Sequence, residues 1–202
     1  MPSLFVFDMD DVLYDYDWRI RMAGLTALTG MELAELRRRW WHEDGEWAAE
    51  AGRFEDGAAY HAAFTDAMGV PVTVEQWVAN RRSAMTPWPD SIAAVERAAE
   101  LGDVALLTNN GALVEEHLAE LVPEIAPLFG DELHTSSFYG ARKPDPAVYA
   151  EFLRRHDADP GDVFFADDLP QNVAGAESVG ITGHRFENAA GLRAAIEAFA
   201  AR

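Results

Sequence analysis

The sequence predicts an α/β protein in which a parallel sheet carries helices on both faces and a small all-helical segment is inserted after the first strand. In the outer parts of the chain, short runs typical of strands alternate with amphipathic helical segments, the pattern of a parallel sheet with crossover helices. Residues 15–85 break this alternation, since they show helical periodicity and no run typical of a strand. These observations predict a core made of residues 1–14 and 86–202, and an inserted helical segment made of residues 15–85.

The core contains several short apolar runs that are candidate strands. These are Ser3–Phe7, Val104–Leu107, Leu133–Thr135, Val163–Ala166 and Ile181–Arg185. The helices between them are predicted from apolar spacing and from residues that favour helix ends. One helix follows Asp90 and ends at Gly102, one follows Asn110, one starts at Asp145-Pro146, one stops at Gly180 and one closes the chain around Phe199.

The inserted segment carries its own helix-start signals. Thr29 with Glu32, and Thr73 with Gln76, have the spacing of a capping box, in which each side chain bonds the other residue's backbone N–H. The run Pro87–Pro89 marks the return of the chain to the core, because proline disfavours continuation of a helix. We therefore expect several short helices between the first strand and this run.

Aromatic and basic residues are the candidate substrate contacts of the inserted segment. Its tryptophans are interpreted mainly as core residues of the segment itself; they are Trp40, Trp41, Trp47 and Trp77. Arg19, Arg21 and His42 are candidate substrate contacts, although a solvated side chain is the favoured interpretation of each arginine. Specificity depends on the orientation of such side chains, which the sequence does not define.

Composition excludes several classes of function. The net charge of −19 argues against nucleic acid or an anionic membrane as partner, because both require a basic face. There is no cysteine, so thiolate metal sites and a cysteine nucleophile are excluded. The longest apolar runs are too short to span a bilayer, and Met1 leads into a strand without a basic leader, so a cytoplasmic location is expected. A monomer and a homodimer remain equally compatible with the sequence.

The chain has a single lysine among its basic residues. Lysine and arginine together number 16, and all of them are arginine except Lys143. An ammonium group is a compact point charge, whereas a guanidinium is a wide planar fork, so the two are not interchangeable where space is limited. We therefore treat Lys143 as a candidate functional residue.

Polar residues follow four of the predicted strands, at the carboxyl ends where open parallel sheets bind ligands. They are Asp8, Asp10 and Asp11 after the first strand, Thr108, Asn109 and Asn110 after the second, Lys143 beyond the third, and Asp167 and Asp168 after the fourth. Carboxylates crowded at one edge repel one another unless a hard cation lies among them. Magnesium prefers oxygen ligands, and Asp8 with one or both of Asp167 and Asp168 could hold it.

This set of residues predicts phosphoryl transfer. Lys143 and the metal would neutralise a phosphoryl group so that Asp8 can attack phosphorus, which divides hydrolysis into transfer and attack by water. Asp10 lies two residues further along an extended chain, on the same side, and would protonate the leaving alcohol and later activate the water. Thr108 and the amides of Asn109 and Asn110 would bind the phosphoryl oxygens.

The motifs resemble those of the haloacid dehalogenase-like hydrolase superfamily. The run from Phe7 to Leu13 resembles its D-x-D-G-[TV]-L motif, Leu107–Asn109 its [ST]-N motif, Gly140–Pro146 its G-x-x-K-P-x-P motif, and Phe165–Val173 its D-D-x-x-x-N-[VI] motif. All four occur in order, and the resemblance spans essentially the whole chain. It implies a Rossmann-like core with the helical cap of the superfamily's first subfamily, in the phosphatase branch.

The resemblance also implies a role for each matching residue. Asp8 would be the nucleophile and a metal ligand, and Asp10 the general acid/base that lends its backbone carbonyl to Mg²⁺. Thr108 would bind phosphate and Lys143 would steady both Asp8 and the phosphate, while Asp167 and Asp168 would serve the metal; these two residues complete the predicted site. Asp11 occupies a position where the family pattern usually has glycine, and we expect the turn to survive because aspartate tolerates turn conformations.

The predicted activity is magnesium-dependent hydrolysis of a small phosphorylated metabolite, with a sugar phosphate as one candidate. A phosphosugar mutase would use the same residues. A 2-haloacid dehalogenase is disfavoured, because the resemblance implies that those enzymes lack the second aspartate of the first motif, here Asp10. A phospho-acceptor module without turnover is also disfavoured, since receiver domains are shorter and lack a helical insertion.

Overall fold

The computed structural model describes residues 3–202. A parallel five-stranded sheet has the strand order β5-β4-β1-β6-β7. Its strands are β1 (Leu4–Phe7), β4 (Asp103–Thr108), β5 (Leu133–Thr135), β6 (Val163–Asp167) and β7 (Thr182–Arg185). This arrangement confirms the predicted fold class, and all five predicted strands are present with shifts of one residue at some ends.

The helices of the core cover both faces of this sheet. They are α6 (Pro89–Ala99), α7 (Ala112–Leu121), α8 (Ala126–Phe129), α9 (Pro146–Arg155), α10 (Pro170–Ser178) and α11 (Ala189–Ala200). Phe5 and Phe7 pack in one hydrophobic cluster with residues of α6 and α11, whereas Val6 packs in a second cluster with residues of α9 and α10. The alternation arises because successive side chains of a strand point to opposite faces.

The inserted segment contains five helices and two short strands. The helices are α1 (Trp18–Thr29), α2 (Leu33–Arg39), α3 (Glu46–Glu50), α4 (Gly57–Met68) and α5 (Val74–Ser83). The expectation of no strand between Tyr14 and Met85 was wrong at both ends. Here β2 (Tyr14–Tyr16) pairs antiparallel with β3 (Met85–Pro87), so that a two-stranded ribbon joins the segment to the core. Strands of three residues are too short to show periodicity, which explains why the sequence did not indicate them.

Helix starts were predicted with mixed success. The capping box of Thr73 and Gln76 is present in both directions. The one predicted for Thr29 and Glu32 is absent, because Thr29 ends α1 and its hydroxyl donates to the carbonyl of Leu25. The helix expected after Asp90 begins earlier, at Pro89, and the next is preceded by Gly111 rather than by Asn110.

Aromatic side chains form the core of the inserted segment. Trp40 makes edge-to-face contacts with Tyr60 and Phe64, at ring-centroid distances of 5.3 and 5.4 Å, and Trp77 contacts Tyr60 at 5.7 Å. Trp47 differs, since 44% of it is exposed. These contacts support the interpretation of most of the tryptophans as packing residues. Within the range that the structure describes, no helix combines the length and the apolar character needed to cross a bilayer.

Candidate active site

Four chain segments bring the predicted site residues to one edge of the sheet. Asp8 directly follows β1, Thr108 and Asp167 are the last residues of β4 and β6, and Lys143 lies in the loop between β5 and α9. Because β4, β1 and β6 are neighbours in the sheet, their carboxyl ends lie side by side. This is the edge at which open α/β sheets bind ligands.

Lys143 lies between two carboxylates. Its Nζ is 2.8 Å from Oδ1 of Asp8 and 2.6 Å from Oδ2 of Asp167. Only 1% of Lys143 is exposed. A buried ammonium requires such partners, because an isolated charge out of water is strongly destabilising. The single lysine of the chain is therefore a central member of the site.

Asp167 is held by a further set of donors. Nδ2 of Asn172 lies 3.0 Å from each carboxylate oxygen of Asp167, and the Leu169 amide donates to Oδ1 at 2.9 Å. The hydroxyl of Tyr149 in turn donates to the carbonyl of Asn172 at 2.6 Å. Although burial alone would raise it, the pKa of Asp167 is lowered by the charge and hydrogen bond of Lys143 and by the hydrogen bond from the Leu169 amide. Asp167 is thus kept as a carboxylate in a fixed orientation.

Asp8, Asp167 and Asp168 together form a group that could hold a metal ion, since one oxygen of each lies within 4.8 Å of the others. Burial raises the pKa of Asp8 well above its usual range; the charge of Lys143 opposes this effect and that of Asp167 adds to it. Burial and the charge of Asp167 also raise the pKa of Asp168 to about 6. An all-oxygen group whose carboxylates repel one another suits a hard divalent cation such as Mg²⁺.

The end of β4 and the segment after it carry three residues that the sequence predicts to bind phosphate. The side chain of Asn109 is bonded to the backbone of Lys143 in both directions, at 2.8 and 2.9 Å. Asn110 donates from Nδ2 to the hydroxyl of Thr108 at 3.0 Å, and its amide donates to Oγ of Ser136 at 3.3 Å. The side chain of Asn109 therefore positions Lys143, and that of Asn110 positions Thr108.

The turn after β1 forms with aspartate in the position where glycine was expected. Asp11 has φ of 59°, in the left-handed region, and its amide donates to the carbonyl of Tyr14 at 2.7 Å. Aspartate enters this region more easily than most residues. The turn survives as predicted.

Sequence reasoning missed a contact between the inserted segment and Asp10. Arg81, on α5, places Nη2 2.5 Å from Oδ2 of Asp10, and its guanidinium lies 4.0 Å from the ring centroid of Tyr16. Only 5% of Arg81 is exposed. Asp10 and Arg81 are 71 positions apart in the chain, so no local pattern could indicate the pair.

A second contact joins the inserted segment to the loop of Lys143. Glu50, at the end of α3, accepts a hydrogen bond at 2.6 Å from Nε of Arg142. The backbone carbonyl of Glu50 accepts another from the hydroxyl of Ser136 at 2.7 Å.

Of the basic candidates in the segment, Arg19 is exposed but Arg21 is only 3% exposed, so the expectation of a solvated side chain was wrong for Arg21.

Comparison with known proteins identifies the family to which the chain is similar. Residues 2–180 match the model of the haloacid dehalogenase-like hydrolases. The chain is 27% identical over 209 aligned residues to the phosphatase MT3486 of Mycobacterium tuberculosis, and the alignment covers 95% of this chain and 90% of that protein.

Solved structures show the same fold. The HAD family enzyme BT-2542 of Bacteroides thetaiotaomicron, in complex with magnesium and inorganic phosphate, superposes with a TM-score of 0.75 at 18% identity, covering 93% of this chain and 95% of that one. A 2-haloacid dehalogenase from Pseudomonas syringae superposes with a TM-score of 0.64 at 22% identity, covering 92% and 86% of the two chains.

Proposed function

Because the chain belongs to the haloacid dehalogenase-like hydrolase family, we propose that it is a magnesium-dependent phosphatase that forms an aspartyl-phosphate on Asp8 and acts on a small phosphorylated metabolite. The observation that carries this proposal is the position of Lys143, whose Nζ lies within 2.8 Å of both Asp8 and Asp167 beside a group suited to a divalent cation. A cation and an ammonium at one carboxylate are the features needed to bring an anionic phosphate to an anionic nucleophile.

The first step transfers the phosphoryl group to the protein. A carboxylate oxygen of Asp8 forms a bond to phosphorus while the bond from phosphorus to the ester oxygen breaks. Asp10 gives its proton to the departing oxygen, which leaves as the alcohol. Lys143, the hydroxyl of Thr108 and the backbone amide of Asn109 are proposed to hold the phosphoryl oxygens during this transfer, whereas the amide of Asn110 donates to Ser136.

The second step returns Asp8 to its starting state. Asp10, now a carboxylate, removes a proton from water as the water oxygen bonds to phosphorus. The bond between Asp8 and phosphorus breaks, and inorganic phosphate leaves. The side chains of Asp8, Asp167 and Asp168 and the backbone carbonyl of Asp10 are proposed to hold Mg²⁺. When bound, Mg²⁺ would offset the negative charge of the phosphoryl oxygens.

The inserted segment, residues 15–85, is proposed to act as a cap over this site. Two contacts support this role, from Arg81 to Asp10 and from Glu50 to Arg142, because each joins the segment to a residue in or beside the site. A cap that closes over the substrate excludes water during transfer. A covered site of this kind favours a small substrate, and a sugar phosphate is one candidate.

The known relatives support phosphate ester hydrolysis. The similar protein of M. tuberculosis is named a phosphatase, and the superposed enzyme of B. thetaiotaomicron was solved with magnesium and phosphate. A phosphosugar mutase remains the alternative, because it would use the same residues and differ only in returning the phosphoryl group to a sugar. The likeness to a dehalogenase concerns the fold, and the presence of Asp10 disfavours that chemistry.

Phosphate release from p-nitrophenyl phosphate and from a panel of sugar phosphates tests the proposal. Release should require Mg²⁺ and disappear in Asp8→Asn. Asp103→Asn is a matched control, since Asp103 is exposed at the opposite end of β4 and should leave the rate unchanged. Release that persists in Asp8→Asn would contradict the proposal, and interconversion of sugar phosphates without net phosphate release would favour the mutase.

A further inference from the structure

Two arginines are buried side by side in the inserted segment. Arg21 on α1 and Arg81 on α5 are 3% and 5% exposed. The guanidinium of Arg21 lies 4.1 Å from the ring centroid of Trp77 and donates to the carbonyl of Trp77 at 3.2 Å. Trp77 and Arg81 are one helical turn apart, so both lie on the same face of α5. We call Arg21, Trp77 and Arg81 the arginine cluster.

Arg21 in the arginine cluster has no direct carboxylate partner, whereas Arg81 has one. Arg81 is paired with Asp10, but among residues 3–202 no carboxylate oxygen lies within 4.0 Å of the Arg21 guanidinium. Burial lowers the pKa of Arg21; Tyr16 opposes this effect, and the positive charge of Arg81 adds to it. The charge of Glu46 also raises the pKa of Arg21, although the Glu46 carboxylate accepts its hydrogen bonds from Tyr60 and Trp40 rather than from Arg21.

Hydrogen-bonding groups of the same cluster lack partners. In the described part of the chain, the buried atoms without a hydrogen-bond partner include Nε of Arg81, Nε1 of Trp77 and Oδ1 of Asp10. A buried donor without a partner is unfavourable by about 1–3 kcal/mol, and more when it is charged. Two unpaired donors beside a guanidinium without a direct carboxylate partner therefore indicate a place for an acceptor with negative charge.

The arginine cluster also touches the proposed catalytic centre. Its contact is the ion pair of Arg81 with Asp10, the proposed acid/base. Asp10 is proposed to protonate the ester oxygen that leaves. A ligand group bound beside Asp10 at the arginine cluster would therefore belong to the alcohol part of the substrate, which leaves with that oxygen. The rest of the protein repels anions, since its net charge is −19, so recognition of an anion needs a local positive site of this kind.

We propose that the arginine cluster binds a second anionic group of the substrate, so that the enzyme selects phosphate monoesters whose alcohol part carries a carboxylate or a second phosphate. This inference rests on the proposed function for the identity of the ester, but the binding of the second anion can be measured separately from catalysis. Charge-assisted hydrogen bonds from a buried guanidinium account for the selectivity.

Binding to Asp8→Asn in the presence of Mg²⁺ tests the inference without turnover. 3-Phosphoglycerate and glycerol 3-phosphate are a matched pair, because the first has a carboxylate where the second has a hydroxymethyl group. Fructose 1,6-bisphosphate and fructose 6-phosphate are the corresponding pair for a second phosphate. Calorimetry should show that the doubly anionic member of at least one pair binds about tenfold or more tightly. Equal affinities within both pairs would overturn the inference.

Variants of the arginine cluster test whether its residues cause the preference for the doubly anionic ester. In the Asp8→Asn background, Arg21→Gln should abolish the preference while leaving the affinity for the singly anionic ester within about twofold. Trp77→Phe removes the unpaired Nε1–H but keeps the ring and should reduce the preference. Arg37→Gln is a matched control, because Arg37 is exposed and lies 5.6 Å from the ring centroid of another tryptophan, Trp18. If folded Arg21→Gln kept the full preference, the assignment to this cluster would be wrong.

The two proposals can fail independently. A protein that releases phosphate from p-nitrophenyl phosphate but shows no preference within either pair keeps the proposed function and loses the arginine cluster as an anion site. A protein that shows the preference but releases no phosphate keeps the anion site and loses the proposed function. If Arg21→Gln does not fold, the two ligand pairs still decide the inference with the arginine cluster intact.

Discussion

The ammonium of Lys143 lies 2.8 Å from Oδ1 of Asp8, although 135 positions separate the two residues in the chain. The side chain of Lys143 is fully buried. Its second partner, Asp167, ends β6, the strand beside β1 in the sheet. The contact places a positive charge against the proposed nucleophile and leaves little room for a wider group.

Replacement of this lysine by arginine should therefore impair turnover. In Lys143→Arg, we expect kcat for p-nitrophenyl phosphate to fall by about 10²-fold or more, because the planar guanidinium cannot occupy a space shaped for an ammonium. Steady-state kinetics measures the loss, and circular dichroism with thermal melting establishes that the variant is folded. Turnover within a few-fold of the wild-type rate would show that charge alone suffices at this position.

Neighbouring aspartates provide a test of the proposed acid/base. Asp10→Asn should lower kcat by about 10²–10⁴-fold, the usual contribution of a general acid/base. Asp11→Asn is the matched control, since Asp11 is exposed and asparagine also tolerates its positive φ of 59°. Asp11→Asn should keep a rate near that of the wild type. Similar losses in both variants would indicate damage to the turn rather than removal of a proton-transfer group.

The burial of Glu50 should make the stability of the protein depend on pH. Burial and the charge of Glu46 raise the pKa of Glu50 from 4.5 to about 7, against the opposing effect of Arg142. Between these values the folded state binds more protons than the unfolded state, so the contribution of Glu50 to the free energy of unfolding falls as pH rises from about 4.5 to 7. The change is on the order of 3 kcal/mol.

Urea denaturation of wild type and Glu50→Gln at several pH values measures this effect. Glutamine keeps a hydrogen-bonding side chain of the same size but does not titrate. The variant should therefore equal the wild type near pH 5 within about 1 kcal/mol and exceed it above pH 7. Because other groups titrate in both proteins, only the difference between the two curves is informative. A difference that does not change with pH would exclude Glu50 as the titrating group.

Asn172 should matter for metal binding without touching the metal. Its Nδ2 lies 3.0 Å from both oxygens of Asp167, so it fixes the orientation of a proposed ligand. In Asn172→Ala, we expect the Mg²⁺ concentration for half-maximal phosphate release to rise by about 10- to 100-fold. Gln171→Ala is the control, since Gln171 is the exposed neighbour on the same helix. An unchanged Mg²⁺ requirement in Asn172→Ala would limit Asn172 to a packing role.

Local sequence was sufficient for the parts of the fold with strong periodicity. The strands of the core and the capping box of Thr73 were predicted because short apolar runs and helix-start signals are properties of a few adjacent residues. The ribbon of β2 and β3 was not predicted, because its two strands have three residues each and are paired across the whole inserted segment. Strand pairing over such a distance depends on how the intervening helices pack.

The same distinction applies to the site. The position of Asp8, Thr108 and Asp167 at one edge of the sheet could be predicted from the chain alone, because each lies at the end of a strand and parallel strands bring such ends together. The tertiary structure was needed to place Arg81 against Asp10, Glu50 against Arg142 and Arg21 over Trp77. These contacts join residues on separate helices or loops, and a helix's own periodicity predicts which of its residues share a face but not which distant group that face will meet.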